Sequence, residues 1–252
     1  MIKVLIVSDS AVLSKNVGIK LISKGYYANH LFPSQILNGD IEKLKSNVLQ
    51  NVSIIVFDQE GTKKTLGHDK SENLIDILSQ ISNNLILISS EKDVNKIKSW
   101  FSKGLKGIVD SSLNLNDISE KVYEIVYSIP IEDSDRRKHY RVRVPNGSIA
   151  KIFINPEFII RGHIYDVSAG GVSIIFDSYE EANSLITNKS YQSQLEFEGI
   201  SINANIFLVR REGTFCGFRF FNIDNKQLTL LSEYIYHRII EDTYNETLTN
   251  KV

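Results

Sequence analysis

The chain of 252 residues holds a single cysteine, Cys216, so neither an intrachain disulfide nor a cysteine-rich zinc site can be built from it. It has no uninterrupted apolar stretch of about 18 residues, the length that a membrane-crossing helix needs, and a helical span is excluded on that ground. Net charge is scarce as well. A formal value of -1 gives the molecule no bulk attraction for nucleic acid or an anionic membrane, so any anion site has to be local. Internal repeats and low-complexity tracts are absent. Met1 to Val7 runs into polar Ser8 and Asp9 too soon to form the core of a signal peptide. These absences lead us to expect a cytoplasmic protein in a reducing compartment.

Hydrophobic residues at 42% and charged residues at 23% give the composition of a globular chain rather than a disordered one. The length suits two domains, since one domain takes about 100 to 200 residues. From residue 1 to 127, short apolar runs alternate with segments of helical period. The runs Ile2 to Val7, Tyr27 to Phe32, Val52 to Phe57, Leu85 to Ile88 and Gly107 to Val109 read as the strands of a parallel sheet. Between them lie amphipathic segments. One is capped by Ser10 and stopped by Gly25, one carries Leu74, Ile75, Ile77 and Leu78, one carries Val94, Ile97, Trp100 and Phe101, and one carries Ile118, Val122, Ile125 and Val126. The weakly patterned Ser34 to Leu49 would supply a fifth.

A linker is expected over 128–135, where Ile129-Pro130-Ile131 gives way to Glu132, Asp133 and Asp135. Beyond it, over 136–244, the pattern becomes β-branched, aromatic and glycine-punctuated. Strands are expected at Ser148 to Ile154, Ile159 to Asp166, Gly171 to Phe176, Gln194 to Phe197, Ile200 to Arg210 and Phe215 to Phe221. A helix over Asn225 to Asp242 follows, and 245–252 reads as a polar tail.

Two features in this second half carry chemistry. Arg136, Arg137, Lys138, Arg141 and Arg143 place five cations within eight positions of a chain that is otherwise balanced. A planar guanidinium can fork onto phosphate oxygens or the O6 and N7 edge of guanine, and can stack on a purine. The second feature, Asp166-Val167-Ser168-Ala169-Gly170-Gly171, joins two strands. Its glycines free the backbone and allow close approach, while Asp166 and Ser168 offer short polar groups. Taken singly, the arginine run could be a solvated or nucleic-acid-touching patch, and the glycine segment a plain turn. His139 and His163, without carboxylates at ligand spacing, read as surface histidines.

Arg137-x-x-x-Arg141 followed by Asp166-x-Ser168-x-x-Gly171 resembles the paired RxxxR and DxSxxG signature of PilZ domains. Cys216-Gly217-Phe218-Arg219-Phe220 is similar to a late strand of that family, and the likeness covers residues 132 to 242. It implies a six-stranded β-barrel with a C-terminal helix, whose arginine arm closes over cyclic di-GMP. Carried over residue by residue, Arg137 and Arg141 would grip guanine and phosphate. Asp166 and Ser168 would bond base or ribose, Gly170 and Gly171 would allow close approach, and Arg136 would stack on guanine. An arginine at that place implies two ligand molecules per chain.

The first half resembles the receiver domain of response regulators, a flavodoxin-like fold on a five-stranded parallel sheet. Asp58 after the third strand would be the phosphoacceptor, Asp9 and Asp58 the Mg²⁺ ligands, and Ser89 or Ser90 the switch hydroxyl. The pattern departs from that family in two places. Ser8 stands where a second acidic residue is expected, and Gly107-Ile108-Val109-Asp110-Ser111-Ser112 offers no lysine to balance a phosphoaspartate. A pseudo-receiver is therefore expected, with Mg²⁺ relevant only to a working site.

No activated nucleophile, metal cluster or phosphate-cradling glycine loop is present, and no enzyme is expected. The leading expectation is a cyclic di-GMP-binding effector that changes conformation and transmits to a protein partner, with homodimerisation open. The alternatives are a phosphorylation-controlled response regulator with a degenerate PilZ output and a scaffold that binds no ligand. The charge balance outside the arginine run argues against a nucleic-acid binder.

Overall fold

The computed structural model describes residues 1–39, 50–131, 138–187 and 189–249. They fall into two compact units, one of residues 1–137 with 239–252 and one of residues 138–238.

In the first unit, β1 (Lys3–Val7), β2 (Tyr27–Leu31), β3 (Ile54–Asp58), β4 (Leu85–Ser89) and β5 (Leu105–Asp110) form one parallel sheet in the order β2-β1-β3-β4-β5. This is the flavodoxin-like order, in which the chain reverses direction across the sheet beside β1. Every residue of β3 and β4 is buried, which explains why these strands read as unbroken apolar runs rather than as alternations. The helices begin where the sequence supplies caps. The Ser10 side chain accepts from Leu13 N at the start of α1 (Ala11–Ser23), and Gly25, at φ 96°, follows its end. Next come α2 (Pro33–Asn38), α3 (Gln59–Leu66) and α4 (His68–Ser79). Asp93 caps α5 (Val94–Ser102) and Asn114 caps α6 (Leu115–Ser128).

Two expectations change here. A helix, α3, follows β3 directly, and Gly67 at φ 91° separates it from α4, the helix that carries Leu74 and Leu78. α3 has no apolar stripe, since the residues it buries are Gln59 and Thr62. The stripe on α5 is also narrower than its composition suggests: Trp100 is in the core, while Val94 and Phe101 are 61% and 52% exposed. Of the weakly patterned Ser34 to Leu49, α2 takes the beginning, and residues 40–49 lie outside the described residues.

The second unit contains β6 (Val142–Arg143), β7 (Ile149–Asn155), β8 (Phe158–Ser168), β9 (Gly171–Phe176), α7 (Tyr179–Asn183), β10 (Ser190–Phe197), β11 (Ile200–Glu212) and β12 (Phe215–Phe221). The six long strands pair antiparallel in the order β8-β7-β10-β11-β12-β9, and β9 returns to β8, closing a barrel. β6 adds to β8, with Val142 opposite Val167 and Arg143 opposite Asp166. Period-2 alternation fills the barrel with Ile152, Ile160, Ile164, Val172, Ile174, Leu195, Ile202, Ile206 and Phe218. The register shifts between Ile164 and Asp166. At that bulge Tyr165 and Asp166, neither of them a core residue, stand in succession between buried Ile164 and Val167.

The last helix, α8 (Asn225–Thr249), continues past Asp242. Its Tyr234 ring packs 4.8 Å from that of Phe197 in the barrel unit. Within the first unit, Thr243 Oγ1 accepts from Asn29 Nδ2 at 3.0 Å.

Gly162 tests the packing of the barrel. A β-carbon there would stand 2.5 Å from Ile174 Cγ2 and 3.0 Å from the Ile175 carbonyl oxygen. Gly162→Ala should destabilise the unit by about 1–3 kcal/mol, the range of overpacked cores. Urea unfolding checks this, and an unmoved midpoint would contradict the packing described.

Candidate functional site

The outer face of β8, β9 and β12 carries small residues at its centre, Gly171, Ser173, Ser168 and Gly217. With Val172 and Ile174 turned into the core, Gly171 and Ser173 belong to the outer register of β9. Opposite them on β8 stand Ser168 and Asp166, and on β12 stand Arg219 and Gly217. Two rows result across the strands: Ser168, Gly171 and Arg219, and next to it Arg143, Asp166, Ser173 and Gly217.

Arg141 reaches onto this surface. Its Nη1 donates to Ser173 Oγ at 2.8 Å and to Asp166 Oδ1 at 3.3 Å. The guanidinium is 42% exposed and the carboxylate 14%, so the pair is worth well under about 1 kcal/mol after solvent screening. Two residues on, the Arg143 guanidinium carbon lies 3.3 Å from the centroid of the Tyr165 ring, which meets Phe215 edge-on at 5.6 Å. Arg143 Nη2 also donates to the Tyr165 hydroxyl, so the guanidinium is held on this tyrosine by both cation–π attraction and a hydrogen bond.

The glycines have more to do than leave space for a ligand. A β-carbon on Gly171 would fall 2.1 Å from the Phe218 carbonyl oxygen, so glycine there is required for β9 to approach β12. On Gly170 it would fall 2.3 Å from His139 Cδ2, and the Gly170 carbonyl accepts from Phe220 N at 3.0 Å. Ser168 Oγ donates to the Gly171 carbonyl at 3.2 Å. The structure thus brings Arg141, Asp166, Ser168, Gly170 and Gly171 together, while Arg136 and Arg137 lie outside the described residues. His139 is not a surface histidine. It is partly covered, its Nδ1 is buried, and burial together with the charge of Lys138 lowers its pKa. His163 is exposed, as expected.

Sequence reasoning passed over Ser173, the stacking of Arg143 on Tyr165, and the placement of Arg219. The first was legible, since a serine two residues beyond Gly171 in an apolar strand has to face outward. The others needed the cross-strand register.

At the carboxyl ends of β1, β3 and β4 in the first unit, the receiver-like residues are bonded to one another. Asp58, 5% exposed, accepts from Ser8 Oγ at 2.7 Å through Oδ2 and from Gly61 N at 2.9 Å through Oδ1, capping α3. A β-carbon on Gly61 would lie 2.3 Å from Oδ2. Asp9 accepts from Thr65 Oγ1 at 2.5 Å. The candidate switch hydroxyls are bonded to α3, Ser89 to Gln59 Oε1 at 2.5 Å and Ser90 to Glu60 Oε2 at 2.7 Å. Nearby, Glu91 is held down at about 2 by the backbone N–H of Asp93 and by Lys96. Among the described residues no group of three His, Cys, Asp or Glu could hold a metal ion. Asp9 and Asp58 supply two carboxylates here, and both Asp58 oxygens and Asp9 Oδ2 each accept a hydrogen bond within the fold.

A closed antiparallel barrel with an arginine segment laid on its β8–β9 edge defines the class of the second unit. Residues 135–237 match the PilZ domain family, and the C-terminal region of this chain is a PilZ domain. Among solved structures, the chain is similar to the PilZ domain of YcgR from Escherichia coli with c-di-GMP. The identity there is 18%, over 47% of this chain and 100% of that one, with a TM-score of 0.38. It is also similar to a response regulator from Thermotoga maritima, at 16% identity over 51% of this chain and 99% of that one, TM-score 0.37. A putative pilus assembly protein from Burkholderia thailandensis is similar at 15% identity over 51% and 100%, TM-score 0.36. A search of curated proteins finds no match.

Ser8→Ala should remove the hydroxyl donor to a buried carboxylate and destabilise the first unit by about 1–3 kcal/mol. The drop should appear in urea unfolding. A stability equal to the parent would mean that Asp58 does not depend on Ser8.

Proposed function

We propose that this chain is a signalling effector that binds cyclic di-GMP on the outer face of its barrel. The observation that carries the reading is the bonding of Arg141 to Asp166 and Ser173, which joins the arginine segment to the glycine-turn segment on one surface. Cyclic di-GMP carries two phosphodiester charges and two guanines. The contacts suited to it are a guanidinium fork for phosphate or the guanine O6/N7 edge, and a carboxylate for guanine N–H groups. Among the described residues Arg141 makes hydrogen bonds through Nη1 alone, leaving the rest of the fork for a ligand. Replacing its present contacts costs little, because a half-exposed ion pair is weak, whereas a micromolar ligand contributes about 8 kcal/mol.

In this reading Arg137 and Arg141 hold guanine and phosphate, Asp166 and Ser168 bond base or ribose, and Arg136 stacks on guanine, so that two ligand molecules bind per chain. Gly170 and Gly171 shape the turn. Binding changes the conformation of the segment from Arg136 to Arg141, and that change is passed to a protein partner. The chain performs no catalysis and works in the cytoplasm. The receiver-like unit is a pseudo-receiver that serves as a docking or dimerisation platform, supported by the bonding of both Asp58 oxygens.

Calorimetric titration of the full chain with cyclic di-GMP should show micromolar or tighter binding at two ligands per chain, with none for cyclic di-AMP. Arg137→Ala, Arg141→Ala and Asp166→Ala should each weaken it by at least about tenfold, or ~1.4 kcal/mol. A saturating ratio of one would remove the paired-ligand claim, and absence of binding would leave the barrel a scaffold. For the first unit, acetyl phosphate or beryllofluoride with Mg²⁺ should leave Asp58 unmodified, and stoichiometric uptake would establish a phosphorylation-controlled regulator instead.

A further inference from the structure

The segment before β6 is anchored to the barrel at a point outside both motifs. His139, two residues ahead of Arg141, lies against Gly170. A β-carbon on Gly170 would meet its Cδ2 at 2.3 Å and its Cγ and Nε2 at 2.9 Å, so glycine alone leaves room for the ring. The ring is held there although its buried Nδ1 has no hydrogen-bond partner among the described residues. An unpaired buried polar atom opposes folding, so packing against the turn is what keeps His139 in place. The neutral imidazole bears this position at lower cost, with an unprotonated Nδ1 that buries no N–H. A protonated ring would bury a charged N–H with no acceptor.

We propose that His139 is a positioning residue: its neutral ring, seated on Gly170, fixes residues 138–141 against the β8–β9 turn and so sets where Arg141 meets a ligand. The proposal rests on the reading that cyclic di-GMP binds at this face. A seated segment has already lost the freedom that a loose one would lose on binding, so the seat raises affinity without touching the ligand. It also makes the site sensitive to acid. Lys138 and Arg141 are the charges on the same segment. The turn Ser168–Gly171 brings no titratable group. Arg219 stands opposite Gly171 on β12, and Asp166 on β8, the one acid of the site, is engaged by Arg141. Burial and Lys138 lower the pKa of His139 from its ordinary 6.5. The seat is therefore complete above about 6.5 and is lost as pH falls through the lowered value.

The test is titration with cyclic di-GMP between pH 5 and 8 on the full chain and on His139→Ala, Gly170→Ala, the double variant and His139→Phe. At pH 7.5, His139→Ala and Gly170→Ala should each weaken binding about tenfold, and the double variant should be no weaker than either, because both remove one contact. His139→Phe should bind like the parent at pH 7.5 and lack the parent's loss of affinity toward pH 5. Additive single effects, or an acid-side loss unchanged in His139→Phe, would overturn the proposal. Should the parent bind no cyclic di-GMP, the functional reading fails, and the seat is then read without ligand from amide hydrogen exchange at Tyr140, Arg141 and Val142. Lower protection in His139→Ala than in the parent and in His139→Phe supports the seat, and equal protection in all three refutes it.

Discussion

The close approach of β9 to β12 at Gly171 is the constraint on which this face of the barrel depends. A side chain there would run into the Phe218 carbonyl, so with any other residue the strands would separate and the barrel would not close at this edge. Closure fixes the register that sets Ser173 opposite both Asp166 and Gly217 and Arg219 opposite Gly171. The bulge in β8 supplies the second condition. Without the extra residue between Ile164 and Val167, strict alternation would send either Tyr165 or Asp166 into the core, and the aromatic platform and the carboxylate would not share one face. A glycine motif that reads as an invitation to a ligand thus acts first on the barrel itself, and its use at a site follows from that geometry.

A comparable substitution of structure for chemistry runs through the first unit. Two neighbouring carboxylates beside Asp58 would repel one another unless a cation held them. Ser8 stands in place of one of them, and its hydroxyl donates to Asp58 Oδ2, while the Gly61 N–H at the start of α3 donates to Asp58 Oδ1. Both oxygens of Asp58 thereby accept hydrogen bonds from within the unit. The polar contacts extend through Ser89 and Gln59 to Glu72, which Lys96 joins at 2.7 Å. In this arrangement the carboxyl edge of the sheet is a packed hydrogen-bonded layer.

Much of this was legible in the sequence, because the two periodicities are clean. Buried parallel strands appear as apolar runs and barrel strands as alternations, and the Asp166–Gly171 motif falls where β8 turns into β9. What was not legible depends on partners distant along the chain. α3 buries Gln59 and Thr62 in place of an apolar stripe, so no helical period announces it. Val94 and Phe101 read as core and are exposed because α5 turns its Trp100 side inward. β6 is two residues long, too short for any pattern, and exists because β8 offers it an edge. His139 gives no sign in the sequence of being covered, since its cover is a glycine thirty-one positions on, a residue known for what it lacks.

In the proposed seat of His139 on Gly170, packing does what the neighbouring ion pair cannot. The contact between Arg141 and Asp166 is half in solvent and contributes little by itself, so it cannot hold the segment against thermal motion. Nor would a strong hydrogen-bonded clamp serve, since a ligand would have to break it before gaining anything. Packing of a ring on a bare backbone lies between these extremes. It confines the chain without occupying the polar groups that a ligand needs, and it keeps Arg141 near Asp166 while their ion pair stays easy to exchange. A small residue at 170 and an aromatic one at 139 are therefore coupled choices: enlarging the first or truncating the second loosens the same segment, although neither residue bears the charge that a phosphate would meet.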